Sequence, residues 1–262
     1  QPGLEIVVTS NNYTVYAFNG DGTPLPGWPV VIGNEPTAPI IMRLGSNPTP
    51  VVVVAASTAL RAYGPTGVLR FGTLLPSPVA QDLAAGDLGG DGRDEIVVIV
   101  NSPDQIASYD STGTQIAIRL LTVHSSGPPL IGPLATGLGA NPLFPSLDSQ
   151  VRARYFAFTS TFADLRGWPK SGHPSMTPSM ADVDNDGATE LAAGSGSDGL
   201  IYLYDAGPGT WRAGSACWPT PRGNFARTGS RLDIPALAAG DDVGPLGVNT
   251  LAGDEPATHE VN

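Results

Sequence analysis

Along the chain, short runs of mostly apolar residues keep returning, each cut off by Gly, Pro, Asn or Asp. One set is nearly continuous in apolar character: Glu5–Ser10, Val51–Ser57, Glu95–Val100, Leu143–Asp148 and Glu190–Ser195, with starts 46, 44, 48 and 47 residues apart. A second set follows closely behind and ends in an aromatic residue, at Phe18, Tyr63, Tyr109, Phe158 and Tyr204, separated by 45, 46, 49 and 46 residues. Runs of this length, rich in β-branched and aromatic residues and bounded by turn formers, predict strands, and no stretch carries a helical period. Two landmarks that keep the same spacing mark a repeat.

The remainder of each unit fits the same scheme. A first strand is expected at Ala38–Arg43, Asp82–Gly86, Pro129–Leu134 and Pro178–Asp182. After the aromatic strand come turn signals such as Gly20-Asp21-Gly22 and Pro65-Thr66-Gly67, where Gly supplies the positive φ of a tight hairpin. A fourth strand is then expected, ending at Gly27-Trp28-Pro29, Gly167-Trp168-Pro169 or Cys217-Trp218-Pro219, whose tryptophans are read as packing between units. Units of four strands recurring every 46 residues or so predict an all-β protein, a β-propeller with about five four-stranded blades.

The first unit begins at its second strand. Near the other end, Ala236-Leu237-Ala238-Ala239-Gly240-Asp241 matches Asp82-Leu83-Ala84-Ala85-Gly86-Asp87, so a C-terminal strand is expected to close the first blade. The domain is thus expected over 1–244, with blades at 3–31 plus 234–241, 38–75, 79–122, 128–170 and 177–219, and a tail over 245–262. Thr220–Leu232 has no strand period.

Gly (33) and Pro (26) are abundant, but alternating strands lie between them, so they mark turns and not disorder. The net charge is −11 and Lys170 is the sole lysine, which argues against a nucleic-acid partner. No run approaches the roughly 18 apolar residues of a membrane span. Cys217 is the only cysteine, leaving no intramolecular disulfide, and Gln1 in place of Met is expected of a processed or trimmed N-terminus.

The sharpest local motif is Asp182-Val183-Asp184-Asn185-Asp186-Gly187-Ala188-Thr189-Glu190. Alternate positions of a curled loop point inward, so Asp182, Asp184, Asp186, the Ala188 carbonyl and Glu190 can surround a hard cation that takes six to eight oxygens, and Ca²⁺ suits this cage better than Mg²⁺. A second copy spans Asp87–Glu95, with Asp87, Asp91, the Arg93 carbonyl and Glu95 in equivalent places but Gly89 at the third position. Weaker Ca²⁺ binding is expected there. The corresponding loops of units two and four lack the acids.

These paired acidic loops, followed by Glu95-Ile96-Val97-Val98 and Glu190-Leu191-Ala192-Ala193 and then Ile201-Tyr202-Leu203-Tyr204, resemble FG-GAP (VCBS) repeats. Those are the calcium-bearing blades of integrin-alpha-like propellers, and the resemblance covers about residues 3–219. It implies structural Ca²⁺ ions within blades and a secreted, bacterial-type, extracellular or cell-surface protein.

No catalytic grouping is visible: His124, His173 and His259 are far apart, and neither a nucleophile elbow nor a zinc-type spacing occurs. The expectation is a non-enzymatic binding or adhesion module for a protein or glycan at the cell surface, through loops such as Asn11–Tyr13, Asp104-Gln105 and Asp148–Arg154. The alternative is a structural subunit of a surface layer or filament, self-assembling through the C-terminal tail, or the accessory propeller of a larger secreted enzyme such as a peptidase.

Overall fold

The apolar run and the aromatic run behind it pair as antiparallel strands in each of the five units. In the computed structural model, residues 5–137, 139–147, 153–172, 177–194, 199–212, 217–224 and 227–232 are described. Sheet one contains β1 (Ile6–Ser10), β2 (Thr14–Phe18) and β3 (Val30–Val31). Sheet two contains β4 (Ile40–Arg43), β5 (Pro50–Ala56), β6 (Ala59–Tyr63) and β7 (Leu69–Leu74), and sheet three β8 (Ala84–Gly86), β9 (Glu95–Val100), β10 (Gln105–Tyr109) and β11 (Gln115–Leu120). Sheet four has β12 (His124–Ser125), β13 (Leu130–Gly132), β14 (Asn141–Leu147), β15 (Ala153–Ala157) and β16 (Lys170–Gly172). Sheet five has β17 (Ser179–Ala181), β18 (Glu190–Gly194) and β19 (Ile201–Asp205). Sheet four keeps the four-strand plan, because β12 and β13 pair in tandem with the same strand, β14.

The second strands are apolar at nearly every position because both of their faces are covered. In β9, Ile96 through Val100 are all fully buried, a stabilisation of roughly 1.5–3 kcal/mol for each side chain. Buried clusters link neighbouring sheets in chain order. Val15, Ala17 and Trp28 pack with Val52, Val54 and Tyr63; Val53, Ile96, Ile131 and Phe144 join sheets two to four; Leu143 and Tyr155 meet Leu191 and Tyr204. The outermost strands β7 and β11 instead alternate exposed and half-buried positions.

The tryptophan of the first Trp-Pro pair does pack between units. Trp28 meets Tyr63 edge-on at 6.1 Å, and its indole N–H donates to the Pro65 carbonyl at 2.8 Å. Its place in the blade differs from expectation, however: the outer strands β3 and β16 follow Trp28-Pro29 and Trp168-Pro169 instead of ending there. A Pro without an N–H is tolerated at the entry to such a short edge strand.

Cys217-Trp218-Pro219 is not the outer strand of a fifth blade. Trp218, 1 % exposed, exchanges two backbone hydrogen bonds with Ile131 of β13, and Pro219 accepts the N–H of Met180 of β17. Further on, the Gly229 carbonyl accepts the Ile41 N–H and Arg231 donates its N–H to the Ile41 carbonyl, on β4. Residues 218–219 and 229–231 therefore lie against the first strands of several sheets, along the axis they surround. The expected closing strand, 234–241, and the tail lie outside the described residues.

Candidate metal centre and the face opposite it

The connection from β17 to β18 is the loop Asp182–Glu190, and the hairpin register brings Ala181 opposite Glu190. The loop turns back through left-handed backbone at Asn185 (φ 61°) and Gly187 (φ 83°), where Asn and Gly are the residues that tolerate it. Carboxylate oxygens of Asp182, Asp184 and Glu190 lie within 4.8 Å of one another. Asp186 is not in that group; its Oδ1 accepts the Ala188 N–H at 2.7 Å and braces the turn. Ala188 itself is fully buried under the loop.

Within the trio, Asp182 Oδ2 accepts the Gly187 N–H at 3.2 Å, but Asp182 Oδ1 is buried without a hydrogen-bond partner. Glu190 is 5 % exposed and accepts the Val183 N–H at 2.7 Å. Burial, aided by the charges of Asp184, Asp182 and Asp186, pushes its carboxyl up to about 7. A divalent cation at this point would supply both the missing partner and the missing countercharge, and it would need only oxygen donors of this hard type.

The sister loop, Asp87–Glu95 between β8 and β9, is built differently. Both oxygens of Asp87 are engaged, Oδ1 with the N–H groups of Gly90 (2.6 Å) and Asp91 (3.1 Å), Oδ2 with that of Gly92 (2.8 Å). Asp91 Oδ1 accepts the Arg93 N–H at 3.0 Å. Glu95 accepts the Leu88 N–H at 2.8 Å, and burial, with Asp87 and Asp91 nearby, raises its carboxyl to about 7. The neighbouring Asp94 forms a two-armed pair with Arg231, at 2.8 and 3.1 Å, with 17 % and 11 % of the two side chains exposed. Sequence reasoning missed this pair, whose members stand 137 positions apart. The one signal was an arginine inside a segment without strand period.

Because strands alternate in direction, the hairpins joining second to third strands and the connections into the first strands share the end opposite the acidic loops. That end carries the exposed Tyr13 and a 2.6 Å contact between His124 Nδ1 and Asp104 Oδ2. Three non-glycine residues in its hairpins, Tyr13, Ser57 and Ser102, have φ of 66°, 52° and 61°. An open cleft of about 450 Å³ lies there between units, lined by Glu35, Thr37, Ser57, Gln81, Asp82 and Pro128 among others. Of the expected loop 148–154, residues 148–152 lie outside the described residues.

Among the described residues no helix is long and apolar enough to cross a membrane. No protein-family model matches the chain, and no curated protein matches it. Solved structures do. The N-terminal part of BBS1, crystallised in complex with ARL6, is similar over 78 % of this chain and 61 % of its own, with a TM-score of 0.55 and 11 % identity. The Pan2 WD40 domain of Neurospora crassa is similar over 77 % of this chain and 59 % of its own (TM-score 0.51, 13 % identity), and the PilY1 C-terminal domain of Pseudomonas aeruginosa over 77 % and 56 % (TM-score 0.52, 12 % identity). The chain thus spans about three fifths of the length of these three structures. At such identity the likeness is one of fold, and the fold is a β-propeller.

Proposed function

We propose that this chain is a calcium-stabilised, non-catalytic β-propeller of FG-GAP type from an extracellular or cell-surface protein, and that it works by holding a protein or glycan partner. The observation that carries the reading is the group Asp182, Asp184 and Glu190, with a buried Asp182 oxygen that has no partner and a buried Glu190 whose carboxyl is raised to about 7. Three acids on a half-open loop suit a weak site of roughly 10⁻⁴–10⁻³ M, the range of extracellular modules and far above cytosolic calcium. Asp186 and the Ala188 carbonyl complete the oxygen set when the loop tightens.

Partner binding is assigned to the face opposite the acidic loops. Its support is the open polar cleft and the row of left-handed hairpin residues, since non-glycine residues held at positive φ concentrate at functional sites. Binding of a protein partner has a parallel in BBS1, which was crystallised with ARL6. The test is a calcium titration followed by heat denaturation and by calorimetry. Calcium at 100 times its Kd stabilises by about 2.7 kcal/mol, a Tm rise of roughly 5–10 °C in a domain of this size. An identical Tm in calcium and in chelator, with no binding heat, would sink the proposal.

A further inference from the structure

β11 ends sheet three, and among the described residues no strand or bridge pairs with its outer side. The Leu121 N–H donates to the Asp104 carbonyl at 2.8 Å, and the register continues with Arg119 opposite Ile106 and Ile118 opposite Ala107. Bonded and unbonded pairs alternate along an antiparallel ladder, so Arg119 and Ala117 turn their backbone groups to β10, whereas Ile118 and Leu120 turn theirs outward. The side chains along this edge are aliphatic and uncovered: Ile116 is 54 %, Ile118 42 % and Leu120 60 % exposed.

Open edges are ordinarily guarded by shortness, by Pro or by charge. The outer strands β3 and β16 are two and three residues long, and each follows a Trp-Pro pair. β11 runs for six residues without Pro, Lys or an acid. β7 is as long but has Gly72 where β11 has Ile118, and glycine weakens a strand and offers no side chain to bury. The single charge on β11 is turned away from the aliphatic row and neutralised. Arg119 meets Asp164 at 2.8 Å, donates to the Phe162 carbonyl at 2.9 Å and lies over the Phe158 ring of the next unit.

We propose that the occupant of this edge is the same strand of a second copy of the chain, added antiparallel about a two-fold axis at Ile118. The sequence Ile116-Ala117-Ile118-Arg119-Leu120 reads alike in both directions in its apolar pattern. Centred on Ile118, the pairing sets Ile118 opposite Ile118 of the second copy, Leu120 opposite its Ile116, and Arg119 opposite its Ala117. Every exposed aliphatic then meets another on the same face, and no two like charges stand opposite. Because Ile118 turns its backbone outward, the central pair can exchange both of its hydrogen bonds. An edge without free charge attracts neither a basic nor an acidic strand, and its own copy is the uncharged apolar strand that it matches. The contact is isologous and closed, so it yields a dimer and not a fibre. One strand a side is a small interface, which makes the dimer weak and reversible.

The first test is sedimentation velocity from micromolar to millimolar protein. The unaltered chain is expected to pass from monomer to dimer, and Ile118→Lys, a change at a half-exposed site that sets two cations opposite each other, to remain monomeric. A chain that stays monomeric throughout, or an Ile118→Lys dimer as strong as the original, overturns the proposal. The second test reads the register with single cysteines in a Cys217→Ala background. A bonded pair holds its Cα atoms about 5.5 Å apart, within the roughly 4.4–6.8 Å that a disulfide requires. Ile118→Cys should therefore cross-link two chains at least about tenfold faster than Ile116→Cys, whose copies stand four residues out of register although residue 116 is the more exposed. Equal rates overturn the proposal. Should the Cys217→Ala chain fold poorly, the same pair is compared with the buried Cys217 retained and the linked peptides identified by mass. Neither test depends on calcium, so their outcome is separate from that of the metal site.

Discussion

Two loops with nearly the same acidic sequence sit at the same turn of sheets three and five and meet their charge in different ways. In the loop after β17, three carboxylates converge and one buried oxygen has nothing to accept from. In the loop after β8, glycine replaces the third-position acid, and Asp87 turns its oxygens onto three backbone N–H groups of its own loop. Next to it, Asp94 takes a guanidinium from the axial segment. The lesson is that an acidic turn can be steadied by its own backbone, with a protein cation beside it, and that the loop left with an unpartnered oxygen is the one the proposed calcium fits.

The comparison breaks most visibly at the ion pair. Asp94→Ala leaves Arg231 mostly buried without its partner, which costs about 3–5 kcal/mol; chemical denaturation should show that loss, and Asp94→Asn combined with Arg231→Met should recover most of it. If Asp94→Ala proves neutral, the axial segment is not held through this pair. Next in size is the metal itself. Asp184→Ala is expected to abolish the calcium-dependent Tm rise, a loss of about 2–3 kcal/mol at saturating calcium, whereas Asp91→Ala leaves it in place.

The converse substitution sharpens the contrast. A Cβ at Gly89 meets nothing within 4 Å, so Gly89→Asp restores the third-position carboxylate at little steric cost. On the proposed reading, calorimetry should then show tighter calcium binding at this loop than in the unaltered chain, with about 0.4 kcal/mol of added stability when the strengthened site is at its Kd. Unchanged binding would show that the engagement of Asp87, not the missing acid, limits calcium at this loop.

The smallest effect concerns pH in chelator. Glu95 and Glu190 are raised from 4.5 to about 7, so the folded state holds their protons more tightly than the unfolded chain does. Their contribution to stability is full below pH 4.5 and is lost as pH rises through about 7. Denaturation in chelator should therefore show stability declining across that window, and Glu190→Gln should remove part of the decline. Calcium should do the same for Glu190 alone, since the ion stabilises the charged form. A slope of the opposite sign would refute the burial of these acids.

Much of this architecture was legible because the signals are local. The five apolar runs became β1, β5, β9, β14 and β18 within a residue or two, and the aromatic runs became their neighbours, since strand periodicity and turn glycines act over a few residues. The outer strands were less legible: β3 and β16 are two and three residues long, and the Trp-Pro pairs thought to end them come before them. The acidic loops announced their oxygens but not their use. Spacing alone marked Asp186 as an inward ligand, while its bond to the Ala188 N–H depends on how the turn closes.

By itself, then, the sequence determined a repeat of antiparallel sheets and the positions of its acidic turns, because alternation, turn chemistry and charge are written residue by residue. Tertiary structure decided what contacts at long separation decide: that Trp218 pairs with Ile131 instead of ending a blade, that Arg231 reaches Asp94, and that in the sequence Glu-Ile-Val-Val, which occurs at 5–8 and again at 95–98, Ile96 and Val98 are buried while Ile6 and Val8 are exposed. Such outcomes depend on which neighbour covers a strand or loop, and a neighbour more than a hundred positions away leaves no mark on the local pattern.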